Sequence, residues 1–216
     1  MKRFFMLFLI MVSVGVKAQI FDPYAASSTL QAQRDYVNAY GQMAQRARQI
    51  MHTVQPLRQS MYEKYQDKKY REAINICYDT YKQYVYYKFD NKAISDMELL
   101  AGNCAVELQD YETAIQWYSI AQEAGEREAS SKLSNIFYIK MRDARSSYDD
   151  SNYYQLSKDV SLALKTGWES GECYFYEGKC FEVVGNFKEA KKMYKLAKKK
   201  GYSYATTALK ELKKKK

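Results

Sequence analysis

The stretch Asp110-Tyr-Glu-Thr-Ala-Ile-Gln-Trp-Tyr-Ser-Ile-Ala-Gln-Glu-Ala-Gly125 decides the fold, because Asn186-Phe-Lys-Glu-Ala190, Tyr194, Ala197 and Gly201 say nearly the same thing again. A helix that recurs is the unit of a helical-repeat scaffold, where each unit buries its apolar face against its neighbours. Only two prolines, Pro23 and Pro56, occur in 216 residues of which 47% are hydrophobic, so the chain is globular and favours long helices. Tyrosine occurs 22 times, enough to supply core and rim packing in every repeat, with hydroxyl tips reaching solvent.

Upstream, Leu30, Val37, Tyr40, Ala44, Ala47 and Met51 recur at helical steps and predict a helix over about Thr29 to His52, opened by the capping pair Ser28 and Gln31. This helix either caps the first repeat or pairs with a second copy. From Gln55 the pattern becomes helix, short turn, helix. The first pair is expected over Pro56–Gln66 and Lys69–Tyr84, with Tyr70, Ala73, Ile74, Cys77 and Thr80 on the packed face. An aromatic connector, Val85 to Asn91, precedes a pair that opens at Ser95. Spacing supports repetition: Gly167 and Gly201 lie 34 residues apart, while Gly125 and Gly167 lie 42 apart. The extra length is assigned to Arg142–Ser151, read as a long turn between helices near Arg127–Met141 and Asn152–Lys165. Gly125, Gly167 and Gly201 each suit a left-handed helix end.

Leu100-Ala-Gly-Asn103, Asp110-Tyr-Glu-Thr-Ala114 and Ala121 resemble a tetratricopeptide repeat, and Trp117-Tyr118, Gly125, Ala129 and Leu133 resemble equally its Sel-one-like relative. Tyr174, Gly178, Phe181 and Gly185-Asn-Phe-Lys-Glu-Ala190 carry the later copy. The resemblance covers about Pro56 to Leu212. It implies an all-α, right-handed superhelical solenoid of about four helix-turn-helix repeats, with an N-terminal helix and a capping helix over Tyr204–Leu212. Small residues at Gly102, Ala114, Gly178 and Ala190 are expected where helices approach closely and aromatics fill the adjoining gaps. It also implies that first helices line a concave groove for a peptide or protein partner. The matching positions are Leu99, Asn103, Val106, Asn135, Tyr138, Phe175 and Lys179, with Tyr62 and Tyr65 from the first pair. Asn103 and Asn135 resemble asparagines that some chaperone-binding members use on a peptide carboxylate, but the lysines and arginines of that clamp are absent.

The beginning of the chain reads as an address label. Lys2 and Arg3 precede an apolar run from Phe4 to Val16, and Val16-Lys17-Ala18 carries small residues where a signal peptidase cuts. The expected organisation is therefore a cleaved signal peptide at 1–18, a lead-in and helix at 19–54, and a repeat domain at 55–216. The product is expected to be exported to a periplasm-like or extracellular space and soluble after cleavage. Export permits disulfides. Cys173 and Cys180 stand seven residues apart on one expected helix, too far for a bridge; Cys77 and Cys104 are either bridged between repeats or free and buried.

No catalytic motif stands out: GxSxG, HExxH, the phosphate-binding GxxxxGK[ST] and GxGxxG are all missing. His52 is the one histidine, placed at a helix end, and no Cys/His spacing suits zinc, so neither an enzyme nor a metal or cofactor site is expected. Asp149-Asp150 reads as a solvated turn. Charge, by contrast, is segregated. Lys188 to Lys216 holds 12 lysines against Glu189 and Glu211, a net of +10 in a chain of net +9. Lys188, Lys191, Lys192, Lys195, Lys198 and Lys199 fall on one helix face, read either as a solubilising face or as a contact for anionic lipid, glycan or an acidic partner. Nucleic acid is not expected, since neither arginines nor aromatics interleave these lysines. The sequence thus supports a non-catalytic interaction scaffold.

Overall fold

The computed structural model describes residues 23–87, 90–149 and 152–215, and these divide into a unit ending at Gln45 and a unit from Arg46 onward. The leader and its cleavage site lie outside the described residues, as does Asp150. Within the first unit, α1 (Pro23–Thr53) already runs helical from Pro23, whose fixed φ suits a first helical turn. Ser28 is therefore inside the helix, and the expected start at Ser28 is corrected. Leu30, Tyr36 and Val37 on this helix are exposed.

The second unit holds the end of α1 and the remaining helices: α2 (Gln55–Gln66), α3 (Tyr70–Tyr84), α4 (Ser95–Glu107), α5 (Tyr111–Ala124), α6 (Ala129–Asp149), α7 (Tyr153–Lys165), α8 (Gly171–Val183), α9 (Phe187–Lys199) and α10 (Tyr204–Leu212). No strand occurs among the described residues. From α2 onward each helix packs on its chain neighbours, and α2 also touches α4, α5 touches α7 and α6 touches α8. Contacts of that range define an all-α solenoid of four helix pairs, closed by α10 as expected. Ile50 near the end of α1 and Val54 just after it join the core formed by Met61, Cys77, Ile94 and Met97.

The connector after α3 is pinned by one buried carboxylate. Asp90 opens a 3-10 turn (Asp90–Ala93) and accepts from the backbone N–H of Tyr86 and Tyr87 at 3.2 and 3.1 Å. Arg46 Nε donates to the same carboxylate at 2.9 Å, and its guanidinium lies 5.7 and 5.3 Å from the Tyr86 and Tyr87 ring centres. The tyrosines of this connector thus cover an ion pair.

Turns between partner helices reuse one device. The residue before the N-cap is left-handed in three pairs, as Lys68 (φ 58°), Gln109 (φ 58°) and Gly185 (φ 76°). In the last two the following N-cap then satisfies a free amide: Asp110 accepts from Thr113 N at 3.1 Å and Asn186 from Glu189 N at 3.3 Å, while Lys69 makes no such bond. Only Gly185 adopts this backbone without a Cβ penalty. Gln109→Gly is expected to raise the unfolding free energy by about 0.5–1 kcal/mol, the left-handed cost less the added freedom of the unfolded chain. Urea denaturation checks it, and a loss of stability in the variant contradicts the account.

The long turn expected over Arg142–Ser151 is also corrected, because α6 continues through Asp149. Arg142, Arg145, Ser146 and Asp149 form the exposed side of an amphipathic helix, whose other side buries Phe137, Met141, Ala144 and Ser147. Tyr148 adds ring contacts to Phe175 and Tyr176 at 6.2 and 5.2 Å, and Arg145 Nη2 meets Glu172 at 2.8 Å. The extra residues of the third pair are thus a helical extension that reaches α8. Gly125, Gly167 and Gly201 follow their helices with φ of 96°, 78° and 82°, as expected.

Candidate functional site

The first helices of pairs one and two, α2 and α4, flank a cleft of about 380 Å³. Of the nine positions expected to face a partner, it brings together Tyr62, Leu99 and Asn103. Tyr62 is half exposed at 52%, so its ring is available at the mouth. Arg58 makes the fixed wall. Its Nε and Nη2 grip both Asp96 oxygens at 2.5 and 3.0 Å, Nη2 also donates to the Ala93 carbonyl at 2.9 Å, and Nη1 donates to Gln55 Oε1 at 2.8 Å. A two-pronged pair holds α2 against α4 at a set spacing. Since Arg58 is already committed to these partners, Gln59, Asn103, Tyr62 and the Leu99 and Leu100 side chains offer an incoming chain neutral polar groups and apolar surface. Asn103 Oδ1 accepts the Tyr118 hydroxyl at 2.8 Å, which fixes its carboxamide and leaves its amide hydrogens as donors.

The remaining expected positions are distributed elsewhere. Tyr65 turns inward against Tyr70, with ring centres 5.7 Å apart, and Val106 packs on the cluster around Ile115 and Tyr118. Asn135 and Tyr138 are exposed on α6, with Tyr138 resting edge-on against Phe137. Phe175 is corrected from groove to core: it is 6% exposed, packed among Tyr176, Tyr194 and Tyr202. The broad aromatic supply of the fourth pair closes its groove position from behind. Lys179 lies over the Phe175 ring at 5.8 Å and pairs with Glu182 at 3.7 Å, so it seals the same cluster. Arg58, Asp96, Gln55 and Gln59 were not among the expected residues. The partnership of Arg58 with Asp96 spans 38 positions and leaves no local signature.

A second, polar cleft of about 440 Å³ lies where α5 starts against α6 and α7, and the buried Lys140 lines it. Lys140 Nζ donates to Asp143 at 2.9 Å and to Asp159 at 3.3 Å, 4.3 Å from the Tyr111 ring centre. Burial alone pulls its pKa down, but Asp143 and Asp159 outweigh burial and leave it above the ordinary lysine value. A lysine held charged in this way is a structural cation and a poor nucleophile. The thiols are inert for a related reason. Cys77, Cys104, Cys173 and Cys180 are free, and burial raises Cys104 and Cys173 to about 12 and Cys180 to about 11. Among the described residues, no group of three or more His, Cys, Asp or Glu side chains could hold a metal ion. No described helix is long and apolar enough to cross a membrane.

The outer face of α9 carries Lys188, Lys191, Lys192, Lys195 and Lys199, which line an open depression together with Leu196. Lys198 is exposed on the same helix. Ala190, Met193, Tyr194 and Ala197 form the buried opposite side.

No protein-family model and no curated protein matches the chain. A solved structure, described as the TPR2AB-domain:pHSP90-complex of yeast Sti1, is 16% identical over 87% of this chain and 85% of that chain, with a TM-score of 0.31.

Proposed function

We propose that the protein is an exported, non-catalytic scaffold that holds an extended peptide segment of a partner protein in the cleft between α2 and α4. The observation that carries this reading is the cleft itself, with Tyr62, Leu99 and Leu100 offering apolar contact beside the Gln59 amide and the fixed amide of Asn103. Main-chain groups of an extended peptide need amide donors and acceptors, and its side chains need apolar recesses. A free charge is not required of the partner, because Arg58 and Asp96 neutralise each other. Export rests on Lys2, Arg3, the apolar run to Val16 and the small residues before Gln19.

A photo-crosslinking amino acid at Tyr62 tests the site in the envelope fraction of the producing cell. A discrete adduct is expected from position 62, absent from a probe at the exposed Tyr154 on α7, and lost when Leu99→Lys is added. An adduct of the same mass from position 154, or one that survives Leu99→Lys, removes the cleft from consideration.

A further inference from the structure

We propose that the outer face of α9 docks on an anionic lipid bilayer. This surface is separate from the α2/α4 cleft and goes beyond the peptide-binding reading. Five lysines, Lys188, Lys191, Lys192, Lys195 and Lys199, share a single helical face, with Leu196 beside them. Lysines three and four positions apart are neighbours on a helix and repel, and Lys188 in the first turn also opposes the helix dipole. A helix that needed only solubility gains more from mixed signs. Yet Glu189 is the one acid in α9, and it meets Lys192 at 3.5 Å. Among the described residues no carboxylate pairs with Lys188, Lys191, Lys195 or Lys199.

The chemistry of the face favours a plane of diffuse negative charge over a shaped anion. Lysine is a compact charge on a flexible stem and makes no demand for two-pronged geometry, whereas α9 contains no arginine to supply it. Tyr194 is fully buried, so it offers no platform for stacking a base. Lysine stems can lie along Leu196 while their ammonium groups reach outward to headgroups. Charge along the chain is polarised as well. The segment from Lys188 is net +10 in a chain of net +9, so the remainder is slightly negative. A molecule with that moment is steered toward an anionic surface by its α9 end, and salt weakens the attraction.

Co-sedimentation of the full chain with phosphatidylcholine vesicles, with and without phosphatidylserine, tests the proposal at low and high salt. The leader, with Lys2, Arg3 and Lys17, is common to the natural chain and every variant, so the comparison between variants cancels it. Sedimentation is expected only with phosphatidylserine and is expected to fall with added salt. Each lysine near such a surface strengthens binding about fivefold, so the triple variant Lys191→Glu/Lys195→Glu/Lys199→Glu is expected to weaken it on the order of a hundredfold. The variant Arg71→Glu/Lys82→Glu/Lys132→Glu makes the same change in net charge elsewhere and is expected to retain most of the binding. Should the triple glutamate variant lose helical circular dichroism, Lys191→Gln/Lys195→Gln/Lys199→Gln replaces it, with a smaller loss of binding expected. Three results overturn the proposal: equal sedimentation with both vesicle types, equal losses from the two charge-reversal variants, or capture by heparin with none by vesicles. The last reassigns the face to a soluble polyanion such as a glycan. None of these outcomes bears on the cleft, which the position-62 crosslink tests alone.

Discussion

Stability is expected to fall as pH rises from about 4.5 to about 8, and Glu98→Gln is expected to remove most of that fall. Glu98 sits on α4 inside the core, 0% exposed, and neither carboxyl oxygen has a hydrogen-bond partner. Burial first, and the nearby Asp96 second, raise its pKa from 4.5 to about 8. The charge of Glu98 in turn helps hold the buried Cys77 thiol up, after burial. The folded protein therefore keeps a proton on Glu98 that the unfolded chain gives up near 4.5. Below that pH both states are protonated and the fold bears no ionisation penalty. Between the two values the unfolded state gains free energy by ionising, and above about 8 the loss is complete. At about 1.4 kcal/mol per pH unit the total is on the order of 5 kcal/mol, a large fraction of the stability of an ordinary domain. Urea denaturation followed by circular dichroism across this range reads the effect. Glu98→Gln keeps the shape and cannot ionise, so the difference between its profile and that of the natural chain isolates Glu98 from every other titrating group. Glu98→Leu also removes the unpartnered oxygens and is expected to exceed the natural chain throughout, by about 1–3 kcal/mol at acid pH. Parallel profiles for the natural chain and Glu98→Gln contradict the assignment.

Glu98 also marks what a sequence hides. In Asp96-Met-Glu-Leu-Leu100 it reads as an ordinary helical acid, and only the packing of α3 against α4 puts it inside. The helix pairs, by contrast, were legible because glycine stops and 3.6-residue periodicity are local properties of the chain. Arg142–Asp149 failed by composition. Serine, arginine and aspartate are turn-like in number, but Met141, Ala144, Ser147 and Tyr148 still keep helical spacing. Phe175 failed for a different reason. A repeat register says which helix faces the groove, but the neighbouring tyrosines determine whether that position is open. At the α2/α4 cleft the same register brings Tyr62, Leu99 and Asn103 together from two first helices. The Arg58–Asp96 clamp was out of reach, since a pair 38 residues apart needs the tertiary fold to meet.

Gly102→Ala and Gly178→Ala are each expected to cost about 2 kcal/mol although helix propensity alone predicts a gain. Both glycines lie inside first helices, where alanine is favoured by roughly 0.5–1 kcal/mol. Packing decides the sign. A Cβ on Gly178 would stand 2.6 Å from Tyr194 Cε1, and one on Gly102 would press closer still on the Tyr118 ring. Neither ring has room to retreat. Tyr118 is 2% exposed with its hydroxyl held on Asn103 at 2.8 Å, while Tyr194 is fully buried and donates to Glu182. Overpacking a site of this kind costs about 1–3 kcal/mol and sometimes more. Gly41 supplies the control, because a Cβ there meets nothing within 4 Å and Gly41→Ala should realise the propensity gain. A double-mutant cycle separates clash from backbone. With Tyr118→Ala already in place, Gly102→Ala is expected to turn neutral or stabilising, a coupling of about 2 kcal/mol between two residues on partner helices. Additive costs would mean that the glycine is needed by its own backbone and not by the ring. The same pairing recurs at Gly178 and Tyr194, so an equal coupling there is expected. A repeat built on this contact is held by the face of a tyrosine lying on bare backbone, in the second pair as in the fourth.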